Sequence, residues 1–273
     1  MTTLTIATGP ITTVTLNRPD VRNAFNETLI EELSDWAAGV PGDGTVRVVI
    51  LRGAGSVFSA GADINWMSKM LGATHDENLA DARRAAAMYL ALDSLPVPLI
   101  GRVHGAALGG GAGLAAVCDV VVAADDTQFG FTEVNLGILP AMISPYVIRK
   151  IGLSAARELC LSGSRFTAAR AKELGLVHEV ATSGQLDVAV DRHVQAFLKA
   201  SPSAIRETKR LLREVAGQRP ADVVAITTEA IAAQRVSAEG QEGLRAFLDK
   251  RTPSWAERKD RPPDAPPPAT RRS

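Results

Sequence analysis

The sequence is short of cysteine, of net charge and of long apolar runs, and each shortage removes a class of function. Its two cysteines, Cys118 and Cys160, lie far apart, with neither a second Cys nor a His at metal-ligand spacing. No metal site is expected, and buried thiols in a reducing compartment are the plain reading. Thirty Lys and Arg are matched by 30 Asp and Glu, so no overall field gathers nucleic acid or an anionic membrane. Any anionic ligand has to be held locally. No stretch approaches the roughly 18 consecutive apolar residues of a spanning helix. The opening MTTLTIATGP has no basic stretch followed by an apolar run, and a cytoplasmic location is expected. The histidines His75, His104, His178 and His193 show no paired spacing, no Gly-x-Ser-x-Gly elbow occurs, and no phosphate-loop lysine follows the glycines. Metal, serine-hydrolase and phosphate-loop mechanisms drop out.

What is present reads as an α/β core. At 273 residues the chain can build a sizeable interior. Leu4–Ala7 and Ile11–Leu16 alternate apolar residues with Thr across Gly9-Pro10, as a β-hairpin does. Leu29, Ile30, Leu33, Trp36 and Ala37 recur at helical spacing behind a candidate Asn26 cap. The apolar runs Val46–Leu51, Pro98–Val103 and Asp119–Ala124 read as strands buried on both faces. Helices are expected over Glu77–Leu95 and Gly111–Cys118, and repeated strand-then-helix units imply the α/β class. After about Ser183 the patterns are helical only: Leu186–Ala200, Ser203–Val215, Ala221–Arg235 and Ala238–Lys250. The expected division is a core over 1–195, a helical region over 196–256 and a disordered tail over 257–273, where prolines alternate with charges.

Two small-residue loops stand out after strands: Phe58-Ser59-Ala60-Gly61-Ala62-Asp63-Ile64, and His104 to Leu114 with its Gly109-Gly110-Gly111. Such loops let backbone N–H groups approach a ligand closely, and a helix starting near Gly110 aims its positive end at the same place. That suits an oxyanion on a thioester carbonyl, where one positioned donor contributes about 3–4 kcal/mol to lowering the barrier. Close helix-on-strand packing explains the triple glycine alone equally well. Gly111-x-Gly113-x-x-Ala116 formally fits a dinucleotide fingerprint, yet the interval to Cys118 is too short for the crossover helix of a unit of about 30 residues. For an acid or base, Glu133 lies in the mostly apolar Phe129–Gly137 stretch. Desolvation there raises a carboxyl pKa toward a value useful for proton transfer, although a surface Glu capping a turn fits the pattern as well.

Taken together, Leu16 to Asn26, Phe58 to Asp63, Gly105 to Gly111, Cys118-Asp119, Phe129-Gly130, Glu133 with Leu136-Gly137, Glu239-Gly240 and Ala246-Phe247 resemble the crotonase (enoyl-CoA hydratase/isomerase) superfamily over nearly all the chain but the tail. The resemblance implies a spiral of ββα units followed by a helical trimerisation region, with trimers usually paired into hexamers. It implies a bent acyl-CoA substrate and no cofactor, coenzyme A being part of the substrate. Carried over to this sequence, the oxyanion donors are the N–H groups of Ala62 and Gly110. Ala24, Ala60 and Ile64 fall on the adenine and pantetheine path, Arg22 is a candidate for the CoA phosphates, and Glu133 matches the proton-transferring glutamate. Gly113 replaces the second glutamate of two-carboxylate hydratases. Three readings follow: Glu133 alone activates water, a polar group such as Asn65 or Asn135 substitutes, or the reaction is not hydration. Hydration is the first expectation, Δ-isomerisation the second, and a catalytically weak acyl-CoA-binding homologue the third. Ser59 to Met67 and Pro140 to Tyr146 further resemble a bacterial branch of methylglutaconyl-CoA and carboxygeranoyl-CoA hydratases. A group near Ser144 or Trp66 would then receive the substrate carboxylate. Trp66 also fits as core packing, and Ser144 as a helix cap.

Overall fold

β1 (Leu4–Ala7) and β2 (Ile11–Leu16) pair antiparallel with Leu4 opposite Leu16, closing the expected hairpin. The computed structural model describes residues 2–256; the tail expected over 257–273 lies outside the described residues. After β2 come α1 (Glu27–Ala38), β3 (Val48–Gly53), α2 (Ile64–Met70), α3 (His75–Asp93), β4 (Leu99–Val103), β5 (Ala106–Leu108) and α4 (Gly110–Val117). Then follow β6 (Val120–Ala124), β7 (Gln128–Gly130), α5 (Ser144–Ser162, broken at Gly152), β8 (Arg165–Thr167), α6 (Ala168–Glu173), β9 (Glu179–Ala181) and α7 (Leu186–Leu198).

The strands form two sheets. One has the order β1-β2-β3-β4-β6-β9, parallel from β2 onward; the other is the short set β5-β7-β8. Each turn of the chain places one strand in the large sheet, then a short segment in or beside the small one, then a helix. β4, β5 and α4 make one such turn, and β6, β7 and α5 the next. This is the ββα spiral that the resemblance implies. α4 lies inside the core: Gly111 to Val117 are all buried, and a helix apolar all round is stable only there.

The chain divides into two units between Phe197 and Leu198. The second holds α8 (Pro202–Val215), α9 (Val224–Val236) and α10 (Ala238–Leu248). Within it Glu239 accepts bonds from the Ser203 N–H and from the Ser201 and Ser203 hydroxyls, tying α10 to the start of α8. Its helices leave Val236, Phe247 and Leu248 more than three-quarters exposed. Among the described residues no helix is long and apolar enough to cross a membrane.

Candidate active site

The site is assembled by three backbone segments lying side by side. The Ala60 N–H donates to the Arg22 carbonyl (2.9 Å), Phe25 to Gly61 (2.7 Å) and Asp63 to Phe25 (2.8 Å). On the other flank Ser59 donates to Ala106 and Leu108 to Ser59, both at 3.0 Å. The loop before α2 is therefore an extra strand between residues 22–25 and β5. Gly61 has φ +93°, and a Cβ on it would stand 2.8 Å from the Leu108 carbonyl oxygen and 3.7 Å from the Gly110 nitrogen. Only glycine permits that approach. Ala62 and Gly110 are thus brought into one neighbourhood from two loops. Neither N–H has a backbone acceptor among the described residues. Gly110 is the first residue of α4, where a helix has no acceptor of its own to offer.

The 22–25 segment owes its shape to Asn23, which is fully buried with φ +54°. Its side chain accepts from the Arg18 N–H and donates to the carbonyls of Ala54 and Val57. That turn leaves Arg22 exposed, with no ion pair among the described residues, while Ala24 is buried and Ala60 half-buried. Asp63 caps α2 by accepting the Asn65 N–H and pairs with Arg18 at 2.8 Å. Burial alone would raise the Asp63 pKa, but the Arg18 and Asn65 bonds outweigh it and hold the carboxyl below its ordinary range. At the head of α2, Ile64 is 79% exposed and Asn65 is exposed. Trp66 is buried in the core and lines a cavity of about 380 Å³ with Lys69 and Glu27.

Glu133 starts a 3-10 turn, Glu133–Leu136, that follows β7 and ends at Gly137 in a left-handed conformation. Its carboxylate lies against the glycine loop: a Cβ on Gly109 would be 3.2 Å from Oε1. Gly109 has φ +50°, so a side chain there is strained by the backbone and would crowd the carboxylate. Oε2 of Glu133 is buried with no hydrogen-bond partner among the described residues. Burial raises the Glu133 pKa, and its own N–H offsets only part of that. An unpartnered, desolvated carboxylate is a poised proton acceptor.

The position of Gly113 is filled from outside. A Cβ there would be 2.2 Å from Ile143 Cγ2 and 3.1 Å from Tyr89 Cε1. No side chain fits at this point of α4. Of the two substitutes weighed from sequence, Asn135 is exposed and donates to the Gly163 carbonyl at 3.1 Å, a tie between loops. Asn65 is also exposed and faces no partner that would link it to Glu133 among the described residues. The polar side chain that sequence reasoning passed over is Tyr89 of α3, whose hydroxyl donates to the Gly110 carbonyl at 2.9 Å. Its only sequence signal is a place on the buried stripe Ala85, Met88, Tyr89 and Leu92, where a Tyr looks like core. Ser144 does not cap α5: the cap position is Ile143, and the Ser144 hydroxyl donates to the Ala141 carbonyl at 2.9 Å. The following Pro145 already supplies a residue without an N–H.

The chain is similar to known proteins over nearly all of its length. The family model described as enoyl-CoA hydratase/isomerase matches residues 7–258. The chain is 36% identical over 253 residues to the 2,3-dehydroadipyl-CoA hydratase of Escherichia coli, spanning 89% of this chain and 93% of that one. Among solved structures, an enoyl-CoA hydratase from Shewanella pealeana superposes with a TM-score of 0.89 at 39% identity, covering 93% of this chain and 96% of its own. Pseudomonas aeruginosa AtuE superposes with a TM-score of 0.90 at 37% identity, covering 93% and 100%.

Proposed function

The chain belongs to the enoyl-CoA hydratase/isomerase family, and from that premise we propose that it adds water across the α,β double bond of an enoyl-CoA. The observation that carries this reading is the buried, unpartnered Oε2 of Glu133 beside the Gly109-Gly110 turn. In the proposed mechanism Glu133 takes a proton from water as the water oxygen bonds to Cβ. The displaced π electrons move onto the thioester oxygen. The N–H groups of Ala62 and Gly110 hold that oxyanion, each contributing about 3–4 kcal/mol. Glu133 then returns its proton to Cα, so the carboxylate is regenerated and one water has been consumed. The exposed Arg22 pairs with CoA phosphate, and Ala24, Ala60 and Ile64 line the path of the rest of the carrier. Remote binding of this kind positions the acyl group for attack. No cofactor enters the scheme.

The finer part of the proposal is an acyl chain that is branched or ends in a carboxylate, such as 3-methylglutaconyl-CoA. The relative named as a 2,3-dehydroadipyl-CoA hydratase supports it, adipyl being a dicarboxylic chain. Self-association through the second unit into trimers or hexamers is proposed on the exposed Val236, Phe247 and Leu248. A second reading, Δ-isomerisation, is favoured by the filled space at Gly113, because one base suffices to move a double bond.

The deciding assay incubates the protein with crotonyl-CoA, 3-butenoyl-CoA and 3-methylglutaconyl-CoA, follows the enoyl-thioester absorbance and weighs the products. Gain of one water supports hydration. A shifted double bond without mass gain moves the assignment to the isomerase, and binding without turnover leaves only the carrier role.

The pH profile gives a further expected result. The base works as the carboxylate, so kcat/KM is full at high pH and falls as pH drops through the Glu133 pKa. Since burial raises that pKa, the acid limb lies above the ordinary glutamate value of about 4.3. A rate that stays flat down to about pH 4 contradicts the assignment.

A further inference from the structure

A hydratase has to do two things to one water: remove its proton and hold the oxygen on line with Cβ. Glu133 can accept only one of the two hydrogens. The second acceptor expected from a two-carboxylate site is missing at Gly113, and Ile143 and Tyr89 leave no room for it. Asn135 is committed to Gly163. We propose that the Tyr89 hydroxyl is the second water-holding group, its Oη accepting the hydrogen of the attacking water that Glu133 does not take. This rests on the hydration reading given above.

Three observations support the assignment. First, next to Ile143, whose Cγ2 is 2.2 Å from the Cβ position of Gly113, the ring edge of Tyr89 stands 3.1 Å from it, so the phenol shares with Ile143 the side of α4 from which the missing carboxylate would have projected. Second, its hydroxyl and the Glu133 carboxylate flank consecutive residues of one turn. A Cβ on Gly110 would lie 2.9 Å from the Tyr89 oxygen, and one on Gly109 would lie 3.2 Å from Glu133 Oε1. Third, the phenol proton is already given to the Gly110 carbonyl at 2.9 Å. A hydroxyl whose proton is committed offers only its lone pairs, which makes Tyr89 an acceptor of fixed direction. Burial, and next the Glu133 carboxylate, push the Tyr89 pKa well above its ordinary value, so the group stays a neutral phenol and does not compete as a base. Phe25 and Tyr146 pack on its ring with centroids at 6.5 and 6.0 Å, which fixes the hydroxyl in place.

In this arrangement Tyr89 neither gains nor loses a proton. Water gives one hydrogen to Glu133, its oxygen bonds to Cβ, and the other hydrogen stays on the new hydroxyl group while bonded to Tyr89 Oη. Proton exchange at Cα is a different matter, because it needs Glu133 and the two amides and no held water.

The test is Tyr89→Phe in the full chain, with two rates measured on the same sample: hydration of crotonyl-CoA, and deuterium exchange at Cα of butyryl-CoA in D2O. The expected result is a fall in hydration kcat of about 10- to 100-fold, as for a misplaced reactant, with KM and the exchange rate nearly unchanged. Persisting exchange also certifies that the variant is folded with its oxyanion donors in place. Unchanged hydration overturns the proposal. An equal loss of both rates overturns it too, since Tyr89 would then act only by packing against Gly110. A wild-type protein that exchanges the Cα proton yet hydrates no enoyl-CoA removes the hydration reading itself, and the water-holding role falls with it.

Discussion

Glu133→Gln lowers the hydration kcat by about 10³-fold or more, the scale of a lost general base. Glutamine keeps the size and one acceptor oxygen, but it cannot carry the proton from water to Cα. Acyl-CoA affinity stays close to wild type, because the contacts proposed for the carrier lie at Arg22, Ala24, Ala60 and Ile64. The same change stabilises the fold at neutral pH. Burial raises the folded-state pKa of Glu133, so the carboxyl favours folding below its unfolded pKa and that contribution is lost as pH rises through the folded value. Above it the wild type carries a buried, unpartnered charge that the variant lacks. Tm of Glu133→Gln should therefore exceed that of wild type at pH 8, with the gap closing under acid. Stability traded against activity is what a functional carboxylate predicts. Retained turnover, or a less stable variant at pH 8, removes Glu133 from the mechanism.

Gly113→Glu does not restore a second carboxylate. The new Cβ would enter 2.2 Å from Ile143 Cγ2, inside a helix whose surroundings are apolar, and the charge would follow it into the core. Overpacking and a buried charge together cost roughly 3 kcal/mol or more, read as a lower urea midpoint and as loss of hydration. Gly113→Ala meets the same methyl with less volume and no charge, and loses less. A Gly113→Glu protein as stable as wild type and faster in hydration would show that Ile143 moves aside and that the site is of the two-carboxylate kind.

Sequence reasoning reached the site where local chemistry decides the outcome. The Asn26 cap was legible, and its side chain does accept the Leu29 N–H. The desolvation of Glu133 was legible in its apolar neighbours, Phe129, Phe131 and Val134. α3 begins at His75, two residues earlier than its apolar pattern indicates, because Thr74 and Glu77 form a capping box. That Thr-x-x-Glu signal was in the sequence. By contrast, β5, β7 and β8 have three residues each, too few to show a period of two. They exist because the spiral carries distant segments into register, as when Ala107 meets both Phe129 and Ser59. Long-range packing likewise conceals what stands at Gly113. Nothing near that residue in sequence foretells that Ile143 and Tyr89 fill the space, and nothing around Tyr89 distinguishes its hydroxyl from the rest of a buried helix face.

The proposed catalysis depends on the amides of Ala62 and Gly110 receiving one thioester oxygen. A crystal structure of the protein with butyryl-CoA, which cannot be hydrated, tests this directly. It should place the thioester oxygen about 3 Å from both nitrogens, with the Glu133 carboxylate facing Cα and Cβ. A thioester oxygen bonded to neither amide, or an acyl chain lying away from Glu133, would contradict it.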